Sequence, residues 1–162
     1  MSKDFASESL DTVDRALLAR LQQDGSLSSS ALAEELSLTV TPCWRRRKRL
    51  EELGVIRDYQ ANLDRRKLGF DVLAYAQVRF GDHSGDAPDR FEKVIQALPQ
   101  VLACHKVTGE ADYVLTVVAR DLESYGRFVE DVLRRQPGIA AIQSSLALRE
   151  VKAETRIPVL PD

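Results

Sequence analysis

Cysteine and histidine are scarce in this sequence of 162 residues, which contains two of each. Cys43 and Cys104 lie far apart and outside any CxxC pattern, so neither a disulfide framework nor a cysteine-based zinc site is indicated. We therefore expect two reduced, partly buried thiols and no metal site.

Long apolar runs are also missing. No stretch approaches the roughly 18 apolar residues of a membrane span, and the opening MSKDFASESLDTVD lacks the apolar core and cleavage site of a signal peptide. We expect a cytoplasmic protein with no membrane partner. Hydrophobic residues make up 44% of the chain and charged residues 30%, which suits one ordinary domain or two small ones with a buried core.

An excess of positive charge is absent as well, since 23 basic residues face 25 acidic ones and the formal net charge is −2. This balance argues against a protein that coats nucleic acid by bulk electrostatics. DNA binding would need a local basic patch. The run RRRKR at residues 45–49 is such a patch.

The spacing of apolar residues predicts three helices in the N-terminal part of the chain. The first covers residues 10–23, with Asp11 able to cap its start, and a short second one covers residues 31–36. The third runs from a plausible N-cap at Thr39 to about Leu53. Three helices, with a short turn between the last two, are typical of a helix-turn-helix.

The pattern changes after an extended linker at residues 59–71. We assign residues 1–58 to a helix-turn-helix DNA-binding domain and residues 72–162 to a second domain. Alternation typical of strands predicts the order βαββαβ there, and right-handed crossovers would arrange it as a ferredoxin-like antiparallel sheet with both helices on one face. The fold class is α+β. The predicted strands are residues 72–80, 101–109, 112–120 and 139–151, and the predicted helices are residues 86–98 and 122–136.

Both faces of the first predicted strand are largely apolar. Val72, Ala74, Ala76 and Val78 alternate with Leu73, Tyr75, Gln77 and Arg79, and strands of this composition rarely leave one sheet face in water. A second copy of the chain would cover the open face. We therefore expect at least a homodimer.

One side of the third predicted helix is basic. At 100° per residue, Cys43, Leu50 and Leu53 fall on the opposite side. A helix of this kind fits the major groove, where Arg and Lys meet guanine edges and a helix N-terminus favours a phosphate. A solvated basic helix is the alternative, and Trp44 also suits a buried core position. The candidate DNA-binding residues are Thr39, Thr41, Trp44, Arg45, Lys48 and Arg49.

Three segments, LDTVDRALLARLQQDG, LTVTPCWRRRKRLEELGVI and CHKVTGEADYVLTVVARDLESYGRFV, resemble successive signatures of the Lrp/AsnC (leucine-responsive/asparagine regulator) family. The resemblance covers residues 10–159, and the spelling TPCWRR resembles one branch of the family. It implies a winged helix-turn-helix followed by a ferredoxin-like sensing domain. The implied function is amino-acid-responsive regulation of genes for amino-acid metabolism or transport. DNA contact is thereby implied for Thr41, Trp44, Arg45 and Lys48.

Two positions depart from the family pattern, which usually has glycine where this chain has Ser37 and an aliphatic residue where it has Arg47. Arg47 falls on the inward side of the third helix, where an unpaired guanidinium is costly. It must extend along the helix edge, toward solvent or a phosphate, or pair with an acid such as Glu51, Glu34 or Glu35. We expect Arg47→Leu to raise thermal stability, because it removes a guanidinium from an inward position.

Residues 107–113, VTGEADY, predict a tight turn between two strands, with a glycine that allows close backbone approach. A free amino acid needs a carboxylate such as Asp112 for its ammonium group and backbone N–H groups near Gly109 for its carboxylate. An ordinary hairpin turn fits the same residues, and Tyr113 is either core or pocket wall. The resemblance implies an effector pocket between dimers, and hence assembly beyond the dimer, with a small amino acid as effector. The candidate effector-binding residues are Thr108, Gly109, Glu110, Asp112, Tyr113, Ser144 and Ser145.

Two other functions compete with this hypothesis. An enzyme would use His83, Cys104 and His105, but adjacent strand residues point to opposite faces and no third group orients them. We therefore predict no catalytic residues and no cofactor besides the effector, with His83 solvated in a polar loop. An effector-independent architectural DNA-binding protein would keep the basic helix and make the turn at Gly109 purely structural.

Overall fold

The computed structural model describes residues 10–81 and 85–159. The first nine residues, which bear on the signal-peptide expectation, and His83 lie outside the described residues. Two compact units are present. One contains the described residues up to Asn62 together with residues 153–159, and the other spans Leu63–Lys152.

The first unit contains the three helices that the sequence predicts, α1 (Thr12–Gln23), α2 (Ser29–Glu35) and α3 (Val40–Glu52). Asp11 caps α1 through a reciprocal pair of bonds with Asp14, in which the Asp14 N–H donates to Asp11 Oδ1 at 2.8 Å. Such a capping box satisfies N–H groups that have no partner inside the helix. Thr39 stands at the N-cap of α3, although its side chain makes no capping bond.

The turn between α2 and α3 forces Ser37 into the left-handed region, with φ 55°. It is the one non-glycine residue with positive φ in the part of the chain that the structure describes. L-residues with a Cβ are strained in this conformation, whereas glycine is not. The family that the sequence resembles usually has glycine at this position. Ser37 therefore lies at the one position of the turn where the backbone conformation favours glycine.

Side chains from all three helices enclose one apolar core. Leu53 lies outside it with 37% exposure, so its predicted inward position is wrong. The reason is that Leu53 caps α3 and follows its last helical turn. The buried apolar residues of this unit are Leu17, Leu18, Leu21, Leu32, Ala33, Cys43 and Leu50.

The end of the described chain packs on this first unit rather than on the sheet domain to which the predicted boundaries assign it. The side-chain amide of Gln22 donates to the Ile157 carbonyl at 2.9 Å, and the Ile157 N–H donates to Gln22 Oε1 at 2.7 Å. Val159 packs against the helical core. A glutamine amide can pair with one backbone unit in this way because it carries both a donor and an acceptor.

The second unit has the predicted order βαββαβ and a four-stranded antiparallel sheet. Across the sheet, the strands follow one another in the order 101–106, 113–119, 72–80 and 139–146. The last predicted helix ends in a π-helical turn. The last strand stops at residue 146 instead of the predicted 151. Leu148, just after its end, is 95% exposed and has no core to join. The elements are β1 (Val72–Phe80), α4 (Ala87–Gln96), β2 (Val101–Lys106), β3 (Tyr113–Ala119), α5 (Leu122–Phe128), the π-helical turn Val129–Leu133 and β4 (Ile139–Leu146).

The two faces of the sheet differ in burial. The face that packs on α4 and α5 is fully apolar at β1, where Ala74, Ala76 and Val78 have no exposure. The other face buries Leu73 but exposes 41% of Tyr75. None of the described helices is long and apolar enough to cross a membrane.

Candidate functional site

The outer face of α3 presents the side chains that the sequence predicts for DNA contact. Thr41, Trp44, Arg45 and Lys48 are all exposed, and each lies three or four residues from two others of the set, which places them on one face. Trp44 is 53% exposed, so it is not a core residue. Thr39 is exposed at the start of the same helix.

The two exposed cations of this face differ in their surroundings. Arg45 makes no ion pair among the described residues, whereas the Lys48 ammonium lies 3.8 Å from Glu51 Oε2. An exposed pair of this kind contributes little and is readily exchanged for another anion. Both cations are therefore available to phosphates or guanine edges.

Other arginines of the basic run turn toward α1, where they meet Asp14. Its side chain has no exposure, and Arg46 Nη1 lies 2.8 Å from Asp14 Oδ1. Arg49 donates to the second carboxylate oxygen, and Asp11 also accepts from Arg46. The bond to Asp14 contributes most to a raised pKa of Arg46. These contacts fix α3 against α1 and engage the guanidinium of Arg49, whose DNA contact stays a prediction.

Arg47 is paired rather than extended into solvent, which resolves the alternatives left open by the sequence. Its Nη1 donates to the Leu27 carbonyl at 2.8 Å and its Nε to the Tyr59 hydroxyl at 2.9 Å. Its guanidinium carbon lies 4.6 Å from the centre of the Tyr59 ring. Glu51, one of the three predicted acids, accepts from Arg47 at 3.3 Å and from Tyr59 at 2.9 Å.

Sequence reasoning missed Asp14 and Tyr59 as organisers of this surface. A signal for Asp14 was present, because it falls three and four residues before Leu17 and Leu18, on the apolar stripe of α1. An acid at such a position requires a cation. Tyr59 gave no periodic signal, since it lies in a segment without regular secondary structure.

In the second unit, Asp112 joins the turn between β2 and β3 to strand β1. Its Oδ2 accepts from the Phe80 N–H at 2.7 Å, its own N–H donates to the Val78 carbonyl at 2.9 Å, and its carbonyl accepts from the Val107 N–H at 2.9 Å. The ladder between β1 and β4 is irregular between Arg79 and Phe80, so the carboxylate satisfies a backbone donor at this irregularity. Asp112 therefore has a structural role.

The remaining residues of the turn are open to solvent. Thr108, Gly109 and Glu110 are exposed, and Gly109 has φ 114°. A Cβ at Gly109 would meet no atom within 4 Å, so the backbone conformation, not crowding, favours glycine there.

Tyr113 belongs to the core. It is 2% exposed, its ring centre lies 5.0 Å from that of Phe91, and its hydroxyl donates to Glu92 Oε1 at 2.6 Å. Burial, and then the bond to Glu92, raise the pKa of Tyr113 far above its usual value.

The two predicted serines lie across β1 from the turn. Ser144 pairs with Ala76 and Ser145 with Tyr75, whereas Tyr113 pairs with Val78 on the other side of β1. The Tyr125 hydroxyl lies 2.6 Å from Ser144 Oγ. The serines and the turn thus stand on opposite sides of one strand within a single chain.

The competing enzyme hypothesis finds little geometric support. Cys104 pairs with the buried Leu115 and His105 with the preceding residue, Val114, so the two side chains point to opposite faces. Partial burial, and then Glu92, raise the pKa of the Cys104 thiol, which disfavours the nucleophilic thiolate. Among residues 10–81 and 85–159, no three His, Cys, Asp or Glu side chains are grouped to hold a metal ion.

Comparison with known proteins accounts for both units. Residues 10–57 match the winged helix-turn-helix DNA-binding model, and residues 73–157 match the Lrp/AsnC ligand binding domain. The DNA-binding transcriptional activator DecR of Escherichia coli K12 is 39% identical over 150 residues, which are 93% of this chain and 99% of the relative. The Bkd operon transcriptional regulator of Pseudomonas aeruginosa is also 39% identical, over 93% of this chain and 98% of its own length.

A solved structure shows the same architecture. The crystal structure of a transcriptional regulator from Neisseria meningitidis in complex with L-methionine superposes with a TM-score of 0.89 and 34% identity. The match covers 93% of this chain and 97% of that one. The described fold and these full-length relatives agree, and the chain belongs to the Lrp/AsnC family of DNA-binding transcription regulators.

Proposed function

We propose that this regulator binds double-stranded DNA through the outer face of α3 and changes its DNA binding when a small amino acid occupies the C-terminal domain. The observation that carries the proposal is the separation of the basic run into an inner group, paired with Asp14, Leu27 and Tyr59, and an outer group around Arg45 and Lys48. Residues 1–58 serve DNA binding, residues 59–71 link, and residues 72–152 sense and assemble, whereas residues 153–159 pack on the DNA-binding unit. The proposed compartment is the cytoplasm.

The proposed effector site includes the exposed turn at residues 108–110 and the serines of β4, contributed by different copies of the chain. Two observations support an assembly. The turn and the serines lie on opposite sides of β1 in one chain, and the sheet face away from α4 and α5 exposes 41% of Tyr75. A homodimer would cover that face, and dimers in contact would bring turn and serine together. The methionine complex of the Neisseria regulator supports an amino acid as the effector.

One observation favours the alternative, an architectural DNA-binding protein without an effector. Asp112 already accepts a hydrogen bond from the Phe80 backbone, as a purely structural turn residue would. Its carboxylate must therefore do both tasks if it also binds an ammonium group.

Two measurements distinguish a sensing regulator from an architectural protein. They are calorimetric titration of the full chain against the twenty amino acids and DNA-binding assays with each. A sensing regulator gives a binding heat for at least one amino acid, and that amino acid alone shifts DNA affinity or oligomer size. The absence of a binding heat for all twenty amino acids supports the architectural alternative.

The matched variant is Asp112→Asn, whose carbonyl oxygen can still accept from Phe80. If Asp112 binds the ammonium group, this variant loses about ten- to a hundredfold in effector affinity and keeps its DNA affinity without effector. An unchanged response would show that Asp112 is structural only and that other residues bind the effector.

A further inference from the structure

An apolar pair of side chains, those of Val40 and Trp44, is exposed on α3 next to the outer cations. Val40 is 51% exposed and Trp44 is 53% exposed, and their spacing of four residues brings the side chains together on the helix surface. Neither side chain belongs to the core of the unit, which α3 joins through Cys43 and Leu50.

Few cations remain on this face to read bases. Arg46, Arg47 and Arg49 donate to groups of their own unit. Among the described residues, the surface of α3 that a DNA groove would meet therefore carries one guanidinium without an ion pair, one weakly paired ammonium, one threonine and the apolar pair. Arg45 follows Trp44 directly and Lys48 lies one turn further, so the apolar pair adjoins positive charge that suits a phosphate-lined groove.

The major groove offers one apolar group to such a surface, the C5-methyl group of thymine. We propose that Val40 and Trp44 bury thymine methyl groups in the major groove and are specificity-determining residues of this regulator. The proposal rests on the proposed DNA-binding function and adds the chemistry of the base that is read. It assigns a role to Val40, which helical charge patterning alone does not single out.

The test compares two versions of one duplex, the region upstream of the protein's own gene, amplified with thymidine or with deoxyuridine triphosphate. Uracil pairs like thymine but lacks the methyl group. Wild type is expected to bind the uracil duplex more weakly, by about fourfold for each methyl group it buries. The variant Val40→Ala/Trp44→Ala, measured at low salt so that it still binds, is expected to bind both duplexes equally.

The control variant Arg45→Ala should weaken binding to both duplexes while keeping the wild-type ratio between them. Equal wild-type affinity for the two duplexes would overturn the proposal. So would a double variant that retains the wild-type ratio, because the ratio would then reflect the altered shape of uracil DNA. Failure of wild type to bind either duplex, or any genomic fragment, would overturn the DNA-binding function itself.

Discussion

Asp14 of α1 and Arg46 of α3 form an ion pair at 2.8 Å although the Asp14 side chain has no exposure. A second arginine, Arg49, shares the same carboxylate. A buried acid with one cation on each oxygen satisfies the condition under which a buried charge is tolerated. The orientation of α3 thus depends on an acid of α1.

We predict that Asp14→Asn lowers the free energy of unfolding by about 2–3 kcal/mol, since one arginine loses its acceptor and the other keeps only a neutral carbonyl oxygen. The two arginines are 32% and 36% exposed, so water can solvate them, and the loss stays below the range for stranding a fully buried charge. Urea denaturation followed by circular dichroism measures it. The control is Asp11→Asn, which keeps a good N-cap and removes only an exposed pair, for about 1 kcal/mol or less. Equal losses in the two variants would contradict this account.

Ser37→Gly should stabilise the first unit by roughly 0.5–1 kcal/mol. Glycine relieves the left-handed strain of a residue at φ 55°, and part of that gain is offset by the greater entropy of glycine in the unfolded chain. Thermal unfolding of this variant is compared with that of Ser37→Ala, which keeps the Cβ and should not be stabilised. A stabilised alanine variant would show that the hydroxyl, not the backbone conformation, is the unfavourable feature.

Arg47→Leu is expected to lower stability by about 1 kcal/mol, because the leucine cannot replace the bonds to Leu27 and Tyr59. The aliphatic residue that is usual in the family would raise stability, as the sequence predicts, only if Arg47 had no partners. Arg57→Leu, at an exposed position of the same unit, is the control and should leave the urea midpoint unchanged. A gain in stability from Arg47→Leu would mean that the pairing contributes less than the burial of an apolar side chain.

Alkaline pH should lower the stability of the second unit because of Tyr113. Its folded-state pKa lies above the ordinary value of 10.0, so the unfolded chain loses the phenolic proton first as pH rises. The stabilisation is complete below pH 10 and is lost as pH rises through the folded-state pKa. Urea midpoints above pH 10 should fall less steeply in Tyr113→Phe than in wild type, with Glu92→Gln between them. Identical slopes in all three proteins would remove Tyr113 as the source.

The predictable parts of this molecule are those that periodicity encodes. Alternation along residues 72–80 and the cap at Asp11 gave the strand β1 and the start of α1, because burial on one face imposes a period on the sequence. Contacts between residues that are far apart in the chain leave no such period in the sequence. The bonds of Tyr59 to Arg47 and Glu51, and those of Gln22 to Ile157, join residues whose proximity only the folded chain creates.

The candidate sites divide in the same way. Helical geometry identified the exposed face at Thr41, Trp44, Arg45 and Lys48, since exposure on a helix follows from the position of its core. It could not show that Arg49 meets Asp14, because an ion pair depends on a second helix. The bond from Phe80 to Asp112 was equally hidden, since it arises at an irregularity of the β1–β4 ladder.

The salt dependence of DNA binding tests the central claim most directly, the claim that the outer face of α3 holds the DNA. Fluorescence anisotropy with the duplex from upstream of the protein's own gene gives log K against log salt concentration for wild type and for Arg45→Ala/Lys48→Ala. A control, Arg90→Ala/Lys93→Ala, removes the same charge from exposed positions of α4. The account predicts weaker binding and a slope shallower by about two for the α3 variant, with the control unchanged. An α3 variant with wild-type slope and affinity, and intact circular dichroism, would contradict it.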